Sequence, residues 1–162
     1  MQEDKVQFYC GRGLGRSAAA LGLGLRYAAA GKKVIVVRFL KGKASLDLEY
    51  LKKLEPEIRI FSFDKFDACY NDLTPEEQEE EKIHIKTGFA FARKELMTED
   101  CDILILDEAL DLEAMGIVDD KEIISVIKSA AGGATLILTG GHRCEQLWKY
   151  ADRVTEVTTL KE

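Results

Sequence analysis

Residues 5–20 read KVQFYCGRGLGRSAAA and constrain this chain more than any other stretch. A short β-branched and aromatic run, Val6 to Cys10, enters the glycine-spaced turn Gly11-Arg12-Gly13-Leu14-Gly15, and Arg16, Ser17 and an alanine-rich run follow. The order is strand, tight turn, helix. The turn needs glycines because its backbone must bend sharply and leave room for an anion beside its N–H groups. The positive end of the following helix dipole adds to that attraction. Arg16 supplies a full charge, and Ser17 carries a hydroxyl able to ligate Mg²⁺. The pattern GxxxxGK[ST] is missed at Cys10 and at Arg16, and the dinucleotide pattern GxGxxG is missed at Arg16. A glycine-rich turn with no ligand therefore stays open as the alternative.

The second informative stretch is Cys101-Asp102-Ile103-Leu104-Ile105-Leu106-Asp107-Glu108. Four apolar residues form a buried strand that ends in two carboxylates. In phosphate-loop proteins such a strand brings its first acid near Mg²⁺, and the second polarises water or holds the metal shell. Read alone, the two acids could equally cap the next helix. Paired with residues 11–17, they favour a nucleotide site.

The rest of the chain alternates strands and helices. Residues 16–30 read as a helix closed by Gly31. Val34 to Leu40 is a continuous apolar run broken by Arg38, as expected of a strand covered on both faces, and Lys41-Gly42-Lys43 ends it. A helical stripe spans Leu46 to Leu54, a strand Ile58 to Phe63, and residues 64–73 read as loop. Thr74-Pro75-Glu76-Glu77 starts a long helix running to about Met97, with Ile85, Phe89, Ala92 and Leu96 as its buried stripe. Its acidic run, Glu76 to Glu81, is expected on solvated N-terminal turns. A helix from Asp119 to Ala130, a strand from Ala134 to Thr139, a helix over 143–151 and a strand from Arg153 to Val157 complete the pattern. The expected architecture is α/β, a three-layer sandwich on a mainly parallel sheet. Ligands in such sheets lie beyond the carboxyl ends of the strands, so Gly11–Ser17, Lys41–Lys43, Asp107–Glu108 and Thr139–Gly141 should gather on one rim.

A length of 162 residues is expected to form a single domain with a real core. Its net charge of −6 argues against a broad nucleic-acid surface, though not against a local basic pocket. No leader and no apolar run near 18 residues is present, so neither a signal peptide nor a membrane span is expected. Cys10, Cys69, Cys101 and Cys144 are scattered without a CxxC pair, which fits free thiols in a reducing cytoplasm. His84 and His142 are too isolated to suggest a metal site.

The order GxGxGxS after strand one, VVRFLKG, ILILDE, LILTGG and finally ADRVTEV resembles the phosphate-loop ATP:corrinoid adenosyltransferases over almost the whole chain. The resemblance implies a RecA-like phosphate-loop NTPase fold. The reaction it implies is transfer of the 5′-deoxyadenosyl group of ATP to the cobalt of a reduced corrinoid. It further implies that Gly11, Arg12, Gly13, Leu14, Gly15, Arg16, Ser17 and Ala18 cradle phosphate, that Arg38 and Lys41 line the rim, and that Thr139 and Gly140 close it, with Arg143 in place of an arginine the family carries at 141. Ser17, Asp107 and Glu108 would hold Mg²⁺. Co(I) is already a strong nucleophile, so no protein nucleophile or general base is assigned. ATP and a reduced corrinoid are the substrates expected, with a reductase supplying Co(I) and a second copy in a homodimer as further partners.

The chain also departs from the family pattern. Leu14 and Arg16 stand where the family loop, roughly GxGKGKTT, has lysines, and Ala18 replaces its second threonine. Leu110 replaces an Asn or Thr, Gly141 replaces the arginine, and the family's C-terminal segment would continue past Glu162. These differences leave a non-catalytic protein that binds nucleotide or corrinoid as the second reading. A phosphoryl-transfer enzyme is a third, disfavoured because no arginine finger or water-orienting Gln stands near the loop.

Overall fold

The computed structural model describes residues 4–41 and 46–162. Six strands form one sheet in the order β3-β2-β4-β5-β1-β6: β1 (Val6–Cys10), β2 (Val34–Arg38), β3 (Ile58–Ser62), β4 (Ile103–Asp107), β5 (Thr135–Gly140) and β6 (Arg153–Glu156). Every pairing is parallel. β5 lies between the strand that feeds the glycine turn and the strand that carries the acids.

Alternation along the strands sorts the core into two layers. Val34, Val36, Ile103, Ile105 and Ile137 pack with Ala20 and Leu21 of α1 (Gly15–Ala29). Ile35, Val37, Leu104, Leu106, Leu136 and Leu138 point the other way, toward α3 (Pro75–Met97) and α5 (Asp120–Ser129). Burial on both faces is why β2 and β4 read as unbroken apolar runs. The buried residues of α3 include Ile85, Phe89, Ala92 and Leu96, the stripe expected from the sequence.

The helix boundaries have chemical causes. Thr74 caps α3 by accepting the Glu77 N–H at 3.2 Å, and Pro75 occupies the first helical position. Asp119 and Glu122 form a reciprocal capping box at α5. Gly31 takes the left-handed conformation that ends α1.

The helical stripe expected from Leu46 to Leu54 is met, and other expectations are corrected. A short helix α2 spans Leu46–Leu51 and tightens to a 3₁₀ turn at Lys52–Leu54. Another helix, α4 (Ala109–Ala114), follows the acidic pair directly. The segment expected as a helix over 143–151 is a 3₁₀ helix at Glu145–Tyr150. Glu81, placed by its acidic neighbours among solvated residues, is only 4% exposed. It accepts the Lys65 and Phe66 N–H groups, both at 3.1 Å, and so ties the loop after β3 to α3. Gly42 and Lys43 of the expected basic turn lie outside the described residues. Among the described residues no helix is long and apolar enough to cross a membrane, and the four cysteines are unpaired.

Beneath the ends of β2 and β3 lies an aromatic cluster. Phe39 stacks on Phe89 at 5.3 Å, and Phe61 and Phe63 meet Phe91 at 4.7 and 5.6 Å. Gly88 lets α3 approach this cluster, since a Cβ there would sit 2.7 Å from Phe39 and 2.9 Å from Phe63. Just beyond the cluster, Leu40 holds a left-handed backbone with φ 59°, a conformation costing a non-glycine residue roughly 1–2 kcal/mol. Gly88→Ala is expected to lower the unfolding free energy by about 1–3 kcal/mol through overpacking, measured by urea denaturation. An unchanged midpoint would mean that the rings move aside freely.

Candidate functional site

Four strand ends deliver the site to one rim, as anticipated. The glycine turn follows β1, Lys41 follows β2, Asp107 and Glu108 end β4, and Thr139 and Gly140 end β5. Asp107 and Glu108 are 7% and 6% exposed. Two adjacent buried carboxylates need compensating partners, and the surrounding elements supply them.

Asp107 Oδ1 accepts from Ser17 Oγ at 2.7 Å and from Thr139 Oγ1 at 2.6 Å. The same Thr139 oxygen accepts the Glu108 N–H at 2.9 Å, which fixes the left-handed turn at Glu108, φ 71°. Glu108 receives Arg16 Nη2 on both oxygens, at 3.1 and 3.0 Å, and Lys41 Nζ at 3.2 Å. Lys41 also stands 3.7 Å from Asp107 Oδ2. Burial pushes the Glu108 carboxyl up, Asp111 pushes it further, and Lys41 and Arg16 pull it back.

Arg16, expected to bring a full charge to phosphate, has that charge engaged within the protein. Its Nη1 donates to Gly11 O at 2.9 Å and to Gly13 O, so the guanidinium folds into the loop that precedes it. Its Nε is buried and has no hydrogen-bond partner. Leu14, at the helix N-cap, is 82% exposed and makes no side-chain cap. Ser17, Ala18, Leu14, Arg38 and Lys41 line a mostly apolar cavity of about 230 Å³, which Asp107 borders. Arg12 is exposed, and its N–H reaches Thr158 Oγ1 at 3.4 Å. Gly15 meets Val157, which would lie 2.6 Å from an added Cβ.

Arg143 is the candidate that the structure does not bring to the acids. It pairs with Glu156 at 2.6 Å and with Glu145 at 3.6 Å. The place expected for it beside the loop is taken by Asp111 and His142, which the sequence reading did not select. Asp111 Oδ1 accepts from Gly141 N at 2.9 Å and His142 N at 3.2 Å, and it meets His142 Nδ1 at 2.6 Å. Its Oδ2 is 3.8 Å from Arg16 Nη2. Asp111 lies three residues after Glu108, a spacing that puts the two on one side of a helix and was the available signal. Gly140 permits this contact, because a Cβ there would lie 2.6 Å from Leu110 Cβ and 2.9 Å from Asp111 N.

The model of the family described as ATP:corrinoid adenosyltransferase BtuR/CobO/CobP matches residues 2–162. The chain belongs to this ATP:corrinoid adenosyltransferase family. Similar curated relatives include the corrinoid adenosyltransferase CobA of Salmonella typhimurium, 28% identical over 99% of this chain and 80% of that protein. The corrinoid adenosyltransferase of Escherichia coli K12 is 26% identical over 94% of this chain and 76% of its own, and that of Pseudomonas aeruginosa is 26% identical over 94% and 74%. Domain III of the Thermotoga maritima replication initiation protein DnaA overlays with a TM-score of 0.44 at 14% identity, covering 96% of this chain and 55% of that one, too loosely to bear on function.

Beside these acids, the Asp111 carboxyl is held well below its usual range. Burial alone would raise it, but hydrogen bonds from Glu108, His142 and the Gly141 amide outweigh burial and bring it from 3.8 to about 2. A carboxylate depressed in the folded state stabilises the fold above its unfolded value, and that stabilisation is lost as pH falls toward about 2. Asp111→Asn is therefore expected to cost roughly 1 kcal/mol at pH 6 and progressively less between pH 4 and 2, measured by urea unfolding across that range. A difference independent of pH would contradict the assigned pairing.

Proposed function

We propose that the chain transfers the 5′-deoxyadenosyl group of ATP to the cobalt of a reduced corrinoid and releases triphosphate. Its partners in this reading are ATP, a reduced corrinoid and a reductase able to supply Co(I). The observation that carries it is the 2.7 Å hydrogen bond from Ser17 Oγ to Asp107 Oδ1. It joins the hydroxyl at the end of the glycine turn to the first acid of β4, the pairing a magnesium–phosphate site requires.

The cobalt lone pair attacks C5′, the C5′–O bond breaks, and the triphosphate departs with the bonding electrons. No side chain has to act as nucleophile or base. The protein must hold C5′ near cobalt and neutralise the departing charge. Arg16 and Lys41 serve the second task. The two contacts of Arg16 Nη2 with Glu108 are replaced by phosphate oxygens when substrate enters, and the buried Arg16 Nε gains the acceptor it lacks. The first amides of α1 have no intrahelical partners and face the same anion.

Ser17 Oγ and Asp107 Oδ1, with Glu108 Oε1 3.2 Å from the same hydroxyl, are hard oxygen donors of the kind Mg²⁺ takes. Bound there, Mg²⁺ would add Lewis-acid stabilisation of the leaving triphosphate. The cavity of about 230 Å³ beside Asp107 suits the adenosyl end of the nucleotide. A corrin macrocycle exceeds it and must approach from outside.

One observation favours a second reading. Arg16 already fills its loop, donating to Gly11 O, Gly13 O and Glu108. If that contact persists with nucleotide present, the protein binds a substrate without turnover, in a regulatory or accessory role.

The test is anaerobic incubation with Mg-ATP and chemically reduced corrinoid, followed in the visible spectrum and by triphosphate release. Adenosylated product is expected, with Arg16→Lys raising ATP affinity or turnover and with Arg16→Ala and Asp107→Asn lowering kcat/KM for ATP roughly 10- to 100-fold. Tight ATP binding without product selects the second reading. ADP and phosphate without corrinoid point to phosphoryl transfer. No nucleotide binding at all, with Arg16→Ala and Arg16→Lys indistinguishable from the parent, removes the triphosphate site.

A further inference from the structure

We propose that Asp64, in the loop after β3, is a positioning residue that sets Lys41 against the acidic pair. The inference rests on the reading of Lys41 as a phosphate-facing cation.

The placement begins with strand register. β2 and β3 pair with Val34 opposite Ile58 and Arg38 opposite Ser62, and the Phe63 N–H to Arg38 O bond continues the ladder at 3.1 Å. Two residues further on, Leu40 faces Asp64. Its carboxylate takes two consecutive amides, Leu40 N–H on Oδ1 at 3.0 Å and Lys41 N–H on Oδ2 at 3.3 Å. Ser62 Oγ donates to Oδ2 at 3.2 Å and orients the group.

Leu40 between these contacts is the left-handed residue, φ 59°. A β-strand continuing straight would carry Lys41 past the end of β4. The left-handed step turns the chain, and Lys41 Nζ reaches Glu108 Oε1 at 3.2 Å and Asp107 Oδ2 at 3.7 Å. A leucine does not adopt this backbone unaided, so something outside the residue must hold it. The carboxylate that binds the amides on both sides of the Leu40 α-carbon is placed to do so.

The loop bearing Asp64 is itself anchored. Phe63 packs on Phe91, and the next two amides, of Lys65 and Phe66, bind the buried Glu81 of α3. A chain of contacts thus runs from α3 through Asp64 and the turn at Leu40 to the Lys41 ammonium, and Asp64 meets the cavity lining through the Lys41 amide.

The experiment uses the full chain and two readouts. Acetylation of individual lysines by an amine-reactive ester is timed by mass spectrometry, with exposed Lys32 as the internal reference. Lys41 in the parent is held back by its two carboxylate partners. Asp64→Ala is expected to speed its acetylation at least threefold relative to Lys32, and Asp64→Asn, which keeps one acceptor, to give a smaller increase and to serve if the alanine variant does not fold. In the adenosyltransferase assay, Asp64→Ala should lower kcat/KM for ATP several-fold, and the Asp64→Ala/Lys41→Ala double variant should lose no more than Lys41→Ala alone. A relative Lys41 rate unchanged in both Asp64 variants overturns the proposal, as does full additivity of the two substitutions. Acetylation needs no turnover, so a parent without activity would overturn the adenosyl-transfer reading while Lys41 labelling still decided the role of Asp64.

Discussion

Two carboxylates side by side at the end of β4 dominate the organisation of this rim. Asp107 and Glu108 are nearly inaccessible to water, and an uncompensated buried charge costs several kcal/mol. Compensation comes from three directions: Ser17 and Arg16 from α1, Thr139 from β5 and Lys41 from the turn after β2. Each partner ties its element to β4. The requirement to neutralise the acids therefore also aligns the glycine turn, the central strands and the β2 turn around one point.

The same balance decides how the site can exchange partners. On the proposed reading an incoming triphosphate finds Arg16 and Lys41 already matched to carboxylates, with the first amides of α1 as its open contacts. It must take Arg16 from Glu108, and Glu108 must then find another partner, either Lys41 or a metal cation. Asp111 is placed to moderate this exchange. It lies 3.8 Å from the guanidinium, and its other oxygen is fixed by the Gly141 and His142 amides. A lysine at position 16 would offer a point charge without the second nitrogen that Arg16 places on the Gly11 and Gly13 carbonyls. Arginine is thus the choice that most favours the closed, self-paired state.

Much of this was legible in the sequence wherever one pattern dictated one structure. Doubly apolar runs gave β2 and β4, capping residues gave the starts of α3 and α5, and the strand-end rule gathered Ser17, Lys41, Asp107 and Thr139. What escaped notice depended on contacts between distant segments. Glu81 sits in an acidic run that looks uniformly solvated, and only the fold reveals that two loop amides claim it. Asp64 lies in a stretch without periodicity, and its meaning comes from the β2–β3 register. Arg143 was chosen by analogy along the chain, but the nearest acid in space is Glu156 across from β1, and that pairing prevails. The direction of the Arg16 side chain was equally hidden, since the carbonyls of Gly11 and Gly13 are not visible as acceptors until the turn is built.

The glycines themselves have a second cause that alters their weight as evidence. Gly11 has φ 131°, and a Cβ there would lie 1.9 Å from Val157 O, because the segment after β6 crosses the turn directly. The Val157 N–H binds Cys10 O at 2.7 Å, and Thr159 Oγ1 would lie 2.9 Å from a Cβ on Gly13. Packing against the Val157 backbone alone would demand glycine at position 11, and the positive φ of 88° favours it at position 13, whether or not an anion ever entered. Glycine spacing is therefore weak evidence for phosphate in this chain. The contact that discriminates is Ser17 with Asp107. The turn itself does not call for a hydroxyl at position 17; it serves the buried acid, and an acid at that place on the rim is what the packing of the turn does not explain.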